Sequence, residues 1–326
     1  MSDQLLFSNA FSVRFDGAGS AIAIDGPVED GPEAAGSFTW HHFRREGDGT
    51  RAELEALGLD PFVIDALVAE ETRPRCTVHG HGAVLNLRGV NLAEGEEPED
   101  MVSVRLWLEK DRIVGVWLRP LFAVRDMLAA AERGEGASSV GDFAARLAMR
   151  LADRAEPYIG EVGDRIDAME EALLDDGEDV SFGDLSSVRR SAIVMRRFLV
   201  PQREALSTLE IEDLGWLSER DRMRLREATD RITRLGEELD AVRDRAQIVY
   251  DELANRRDEL LNRQTLLLSV VAAIFLPLGL LTGLLGINVG GVPGADNPWA
   301  FWAVTGGLVV LGVALALWVR KMGLFR

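Results

Sequence analysis

"LLTGLLGINVGGVPG" (residues 280–294) closes one long apolar run a few residues before a second begins. A helix that merely ended here would need only a glycine. This one ends on Gly286-Ile287-Asn288 and is followed at once by a proline-containing turn. The runs on either side decide the fold. Gln264 to Leu285 carries no charge, and neither does Asn297 to Val319. Each has about the 20 residues that a helix needs to cross the hydrocarbon core of a bilayer. A helix apolar on all sides over that length reads as a membrane span rather than as part of a soluble core. Spans are therefore assigned to residues 264–285 and 298–319.

Flanking charge sets the expected orientation. Arg256, Arg257 and Arg263 precede the first span, and Arg320, Lys321 and Arg326 follow the second. The connector, Gly286 to Pro298, has no Lys or Arg and one acid, Asp296. Positive charge favours the cytoplasmic side, so both termini are expected in the cytoplasm and the connector outside. The opening MSDQLLFSNAFSVRFDG lacks a basic start followed by an apolar core, so no signal peptide is expected. The one cysteine, Cys76, allows no intrachain disulfide. The net charge is -18; Asp296 against Arg320, Lys321 and Arg326 leaves residues 264–326 at +2 and the rest at -20. That excludes nucleic acid as a partner, which needs clustered basic side chains, and suits a surface that concentrates cations.

Residues 1–135 mix strand and helix signals. Thr50-Arg51-Ala52-Glu53 reads as a capping box opening a short helix that ends at Gly58, and Asp60-Pro61 as an N-cap with proline at the first helical position. Cys76 to Asn91, MVSVRLWL (101–108) and RIVGVWLR (112–119) alternate β-branched or aromatic residues with polar ones, as strands do. Lys110-Asp111 is read as a hairpin turn and AEGEEPED (93–100) as a loop. The expected fold is an α+β membrane protein: an N-terminal α/β domain with a mixed or antiparallel sheet, a long stalk helix and two C-terminal transmembrane helices. Residues 136–215 form a helical region, with helices over 138–176 and 184–209 separated by DDGEDV (175–180). The stalk is 216–263 and the membrane domain 264–326. Along the stalk Leu225, Ala228, Ile232, Leu235, Leu239, Val242, Ala246, Val249 and Leu253 keep a three-four spacing, the seam of a coiled coil or long bundle. Continued to Leu285 the helix is roughly 105 Å long at 1.5 Å per residue, and copies of itself are the simplest partners for it.

A Gly-x-Asn triplet closing the first of two C-terminal spans, after a very long helix, resembles the CorA family of divalent-cation transporters. So does VMRRFLVPQREAL (194–206), a basic pair followed by proline. Most members have Gly-Met-Asn; here Gly286-Ile287-Asn288 followed by VGGVPG resembles the zinc-transporting, ZntB-like branch. The resemblance implies a homopentamer in the bacterial inner membrane, with a funnel-shaped cytoplasmic domain and the long helix lining the pore. It implies an Asn288 ring at the outer mouth as the ion-selecting element, zinc as the transported ion, and no cofactor. Magnesium or cobalt is the alternative cargo. If Asn288 faces the axis, helical spacing puts Thr265, Leu268 or Ser269, Ala272, Leu276 and Gly279 on the same row, with Thr282 and Gly283 near the mouth. An apolar row of this kind can gate by dewetting. Coupling to protons is left open: neither span contains an acid, His or Cys to relay them.

Outside the spans, Cys76, His79 and His81 could hold zinc only if they converge, and on a strand Cys76 points away from the two histidines. Asp164, Asp167, Asp175 and Asp176 could bind metal between subunits and report its concentration; the plainer alternative is a solvated helix face. Asp296 could draw cations to the mouth or cap the second helix. No phosphate-cradling loop or nucleophile pair suggests an enzyme. A second class of function, a membrane-tethered signalling or scaffold protein, would use the spans as anchors only.

Overall fold

The computed structural model describes residues 5, 8–24, 36–45, 48–70, 73–174, 180–287, 294 and 296–321. Two compact units emerge, residues 1–249 and 250–326.

In the first unit seven strands among the described residues form one sheet: β1 (Ala10–Phe15), β2 (Ala21–Ala23), β3 (Phe38–Arg44), β4 (Arg75–His79), β5 (Gly82–Gly89), β6 (Val102–Leu108) and β7 (Arg112–Trp117), in the order β2-β1-β3-β7-β6-β5-β4. Every neighbouring pair is antiparallel except β3 and β7, which are parallel, so the sheet is mixed, as expected. Parallel neighbours need a crossover, supplied here by α1 (Asp48–Ala56), α2 (Pro61–Val68) and strands β4 to β6. One sheet face packs Val84, Trp107, Val114 and Val116 against Leu54, Val63, Ile64 and Leu67 of those two helices. The other presents Phe15, Phe38 and Trp40 to Phe143, with ring centroids 6.0, 6.4 and 4.8 Å from it.

Asp60 caps α2, accepting from the Phe62 amide at 2.8 Å. Gly58 adopts φ +70°, a left-handed conformation suited to glycine, after α1. The expected capping box is corrected: α1 starts at Asp48, so Thr50 lies inside its first turn and donates its hydroxyl to the Arg44 carbonyl at 2.9 Å.

Phe143 belongs to the helical part, α3 (Phe122–Glu132), α4 (Val140–Leu174), α5 (Phe182–Ile211) and α6 (Glu219–Gly286). Pro157 and Pro201 lie inside α4 and α5; each removes one backbone donor without ending its helix. The seam of α6 is buried from Leu225 to Val249, and Leu253 is half-buried. Its expected partners are corrected: over this stretch the chain's own helices line up along α6. Arg224 pairs with Asp142, Arg231 with Glu156, and Arg245 with Asp167 and Glu170, all on α4. Arg196 of α5 reaches Asp240 at 2.5 Å, and Arg226 reaches Glu210 of α5. Asp142 is fully buried and accepts from the Ser138 amide and from Arg146 and Arg224. Burial opposes its charge, but these donors hold its carboxyl below the usual range.

His41 and His42 are both buried on β3. His41 shares a hydrogen bond with Ser12 at 2.8 Å. His42 sits among Phe11, Trp40 and Trp117, and neither ring nitrogen has a hydrogen-bond partner among the described residues. A Cβ on Gly115 would lie 2.1 Å from its Nδ1, so that glycine makes room for the ring. Burial holds His42 neutral, its pKa lowered to about 3. The unfolded chain takes up this proton near pH 6.5, so stability is unaffected by His42 above that pH and falls as pH drops from about 6.5 toward 3. The slope from this group approaches ~1.4 kcal/mol per pH unit. Thermal unfolding between pH 7.5 and 4.5 should therefore show a steeper acid loss for the wild type than for His42→Leu, which fills similar space without titrating.

Candidate ion-conduction site

In residues 250–326, α6 continues to Gly286 and α7 runs Ala300–Lys321. Both helices are long and apolar enough to cross a membrane. Their large apolar side chains are largely uncovered: Leu268 is 68% exposed, Phe275 69%, Leu276 70% and Trp302 66%. Each would cost roughly 1.5–3 kcal/mol left in water, and nothing in hydrocarbon. Hydroxyl side chains in the span turn back on their own helix. Ser269 donates to the Thr265 carbonyl at 2.8 Å, and Thr282 to the Leu278 and Gly279 carbonyls at 3.1 Å.

One face of α6 is covered. Leu266, Ile274, Pro277 and Leu278 are half-buried and Val270 is buried, as are Thr305, Leu308, Leu311, Gly312 and Leu315 (half-buried) and Val319 (buried) on α7. A Cβ on Gly312 would lie 3.7 Å from Leu278 Cδ1, so the two helices meet there. The row read from the sequence, Thr265, Leu268, Ser269, Ala272, Leu276, Gly279, Thr282, Gly283 and Gly286, is exposed throughout. At 3.6 residues per turn its mean direction lies roughly 180° from the covered face. A Cβ at Gly279, Gly283 or Gly286 would meet nothing within 4 Å among the described residues, so the row leaves room for close approach by another molecule.

Ile287 is half exposed just past the helix end, and Asn288 lies outside the described residues. Gly294, at φ +79°, and Asp296 to Trp299 form the turn that enters α7. The cap there is Asn297, whose side-chain oxygen accepts from the Trp299 amide at 3.0 Å. Capping therefore falls to Asn297, and Asp296 remains an exposed acid.

The other candidates stand apart from the spans. His79 ends β4, stacked on Phe62 with its Nε2 3.4 Å from Asp60. His81 follows in the turn rather than on the strand, corrected from the reading above, and pairs with Glu109 at 3.0 Å. Cys76 lies opposite Leu85, on the sheet face away from His79. Burial, helped by the charge of Glu212, pushes its thiol up to about 12, whereas a zinc ligand is a thiolate. Asp164 is exposed, Asp167 is held by Arg245, and Asp175 and Asp176 lie outside the described residues. Among the described residues no group of three His, Cys, Asp or Glu could hold a metal.

Residues 35–321 match the family described as CorA-like Mg2+ transporter protein. The chain belongs to this CorA-like family. It is 39% identical over 282 residues to the divalent cation transporter CmaX of Pseudomonas aeruginosa, covering 86% of this chain and 84% of that protein. It is 31% identical over 311 residues to the zinc transport protein ZntB of Yersinia enterocolitica, covering 95% and 94%. A solved structure of full-length CmaX superposes with a TM-score of 0.83 at 34% identity over 96% of this chain and 98% of that one. Members of the CorA-like family are transporters, not enzymes, and the two apolar helices agree with a membrane protein that carries divalent cations. If Gly312 is a packing point, Gly312→Ala should be tolerated and Gly312→Leu should destabilise by ~1–3 kcal/mol. Thermal unfolding of the detergent-purified protein checks both.

Proposed function

We propose that this chain transports divalent cations, zinc foremost, across the bacterial inner membrane as a homopentamer. In this reading both termini are cytoplasmic, and residues 1–135, 136–215 and the stalk to 263 precede a membrane domain at 264–326. Gly286, Ile287 and Asn288 stand at the outer mouth, with Asp296 beside it. The observation that carries the proposal is the uncovered row from Thr265 to Gly286, opposite the face that α7 covers.

The chemistry of that row suits a cation that keeps its water. Stripping a small dication is costly, so a hydrated ion presents water O–H donors to the wall. The wall must then offer acceptors. Ser269 and Thr282 spend their protons on helix carbonyls, which leaves oxygen lone pairs turned outward. The Asn288 carboxamide adds a neutral acceptor; a carboxylate ring would hold the ion more tightly and release it slowly. Leu268, Ala272 and Leu276 would form the dewetting constriction between these polar levels. Zinc is favoured by the likeness to ZntB and by Ile287 in the place of methionine. Magnesium or cobalt is the second reading, favoured by the family description and by CmaX, whose name specifies no metal.

Proteoliposomes loaded with a metal-sensitive dye decide this. Zn²⁺ influx should exceed Mg²⁺ and Co²⁺ influx, and Asn288→Ala should reduce it at least tenfold. Comparing flux with and without a pH gradient reads proton coupling. Absence of any metal flux in the wild type would favour an anchor or scaffold role for the two spans.

A further inference from the structure

Leu278 and Gly312 fix the level of α6 against α7 within residues 250–326. From that contact Val270 lies eight residues back along α6 and Val319 seven residues on along α7, and both are buried, as antiparallel neighbours at one level are. Arg320 and Lys321, the last residues of α7, therefore stand level with Val270 and Ser269. On α6 the charge-free stretch continues inward to Gln264, and its first cation is Arg263. At 1.5 Å per residue Arg263 lies roughly 10 Å beyond the end of α7. One end of the membrane unit thus carries cations at two depths.

They also lie on one side. At 100° per residue Arg263 points within roughly 20° of the mean direction of the α6 face that α7 covers. Arg263, Arg320 and Lys321 are all exposed, and none has an ion-pair partner among the described residues. Glu259 stands one turn below Arg263 on the same side without pairing to it, so three cations at this end meet one acid. Between the two depths the surface is apolar. Leu267 is 56% exposed on α6, and Trp318 is 57% exposed one turn before Lys321 on α7.

A phospholipid headgroup has the matching chemistry. The polar layer of one leaflet is roughly 5–7 Å thick, the difference between the hydrocarbon core and the whole bilayer shared over two sides. Long cationic side chains bend toward that layer from either depth, Arg320 and Lys321 from the end of α7 and Arg263 from below it. Forked guanidinium donors suit phosphate oxygens, and an indole settles at the same interface with its ring against acyl carbons. Basic recesses between transmembrane helices recognise anionic headgroups by these means. A free phosphate ion would use the cations and leave the apolar surface between them uncovered.

We infer that the end of the membrane unit where α7 stops binds an anionic phospholipid, its phosphate between Arg263 and the Arg320–Lys321 pair and its upper acyl chain against Leu267 and Trp318. The inference rests on both helices lying in a bilayer, as in the function proposed above; it is independent of the cargo and of which side is cytoplasmic.

Thermal unfolding of the purified full-length protein in a non-ionic detergent tests this. Dioleoyl phosphatidylglycerol, dioleoyl phosphatidylcholine and inorganic phosphate are the three additives. The melting temperature should rise saturably with phosphatidylglycerol and with neither of the others. Arg263→Gln, and Arg320→Gln with Lys321→Gln, should each raise the half-saturating lipid concentration about fivefold. Arg257→Gln removes an equally exposed cation that points roughly 130° away from the covered face, and should leave that concentration unchanged. Where a glutamine variant lowers the lipid-free melting temperature, Arg263→Lys keeps the charge and should bind within twofold of wild type. Equal responses to the two lipids, a phosphate effect that matches phosphatidylglycerol, loss of binding in Arg263→Lys, or an Arg257→Gln effect as large as that of Arg263→Gln overturns the inference. A protein that carries no metal in the flux assay could still pass this test, and one that fails it could still conduct, so the two results are separable.

Discussion

A polypeptide in hydrocarbon must satisfy its own backbone hydrogen bonds, and the rest of this structure follows from that constraint. It forbids α6 from ending inside the apolar run, so the helix continues past Pro277 to Gly286. It also explains why Ser269 and Thr282 turn their hydroxyls back onto the helix. The partners of the apolar side chains change along the same helix. Up to Val249 the seam is buried within the chain; from Leu260 the large apolar side chains are mostly exposed. Between them, residues 255–263 are all exposed, and all but Leu260 and Leu261 are polar or charged. These side chains are open to a neighbouring subunit or to solvent among the described residues.

Much of this was legible from residue type and spacing. The charge-free runs marked both spans, and alternation marked β5, β6 and β7 because those strands have one residue set per sheet face. Other features were hidden for identifiable reasons. The three-four seam of α6 reports that a partner exists and says nothing about whose helix it is; α4 and α5 come from far away in the chain. Thr50 has the right neighbours for a capping box, yet Arg44 offers its hydroxyl a carbonyl that no local pattern reveals. His81 looked strand-borne because Gly80 was not read as a turn; its φ of +55° ends β4 one residue earlier. The covered face of the first span was invisible too, since every residue there is apolar on all sides. Only packing against α7 distinguishes Leu266 and Val270 from Leu268.

Net charge was a poor guide to where acids are available for metal. Nearly all basic residues are arginine, with Lys110 and Lys321 the exceptions. Arginine's planar fork suits carboxylates, and the helical part uses it repeatedly. Arg154 takes both oxygens of Asp126 at 2.8 and 2.7 Å, Arg245 takes Glu170 and Asp167, and two arginines meet on Asp142. Acids so engaged hold helices together. A dication recruiting Asp167 would compete with Arg245, which also holds Glu170.

The proposed conduction row has the opposite character. It holds no ionisable group, and its oxygens belong to hydroxyls, an amide and the backbone. In low dielectric a lone carboxylate there would have its charge disfavoured or would bind a dication too firmly to let it pass. Neutral acceptors avoid both outcomes, but they attract cations weakly from bulk solution. Concentrating the ion must then fall to charge outside the span, and in the described part of the connector that charge is Asp296, left free of capping because Asn297 starts α7. Selection and attraction are thereby assigned to different residues, which allows the inner row to stay neutral.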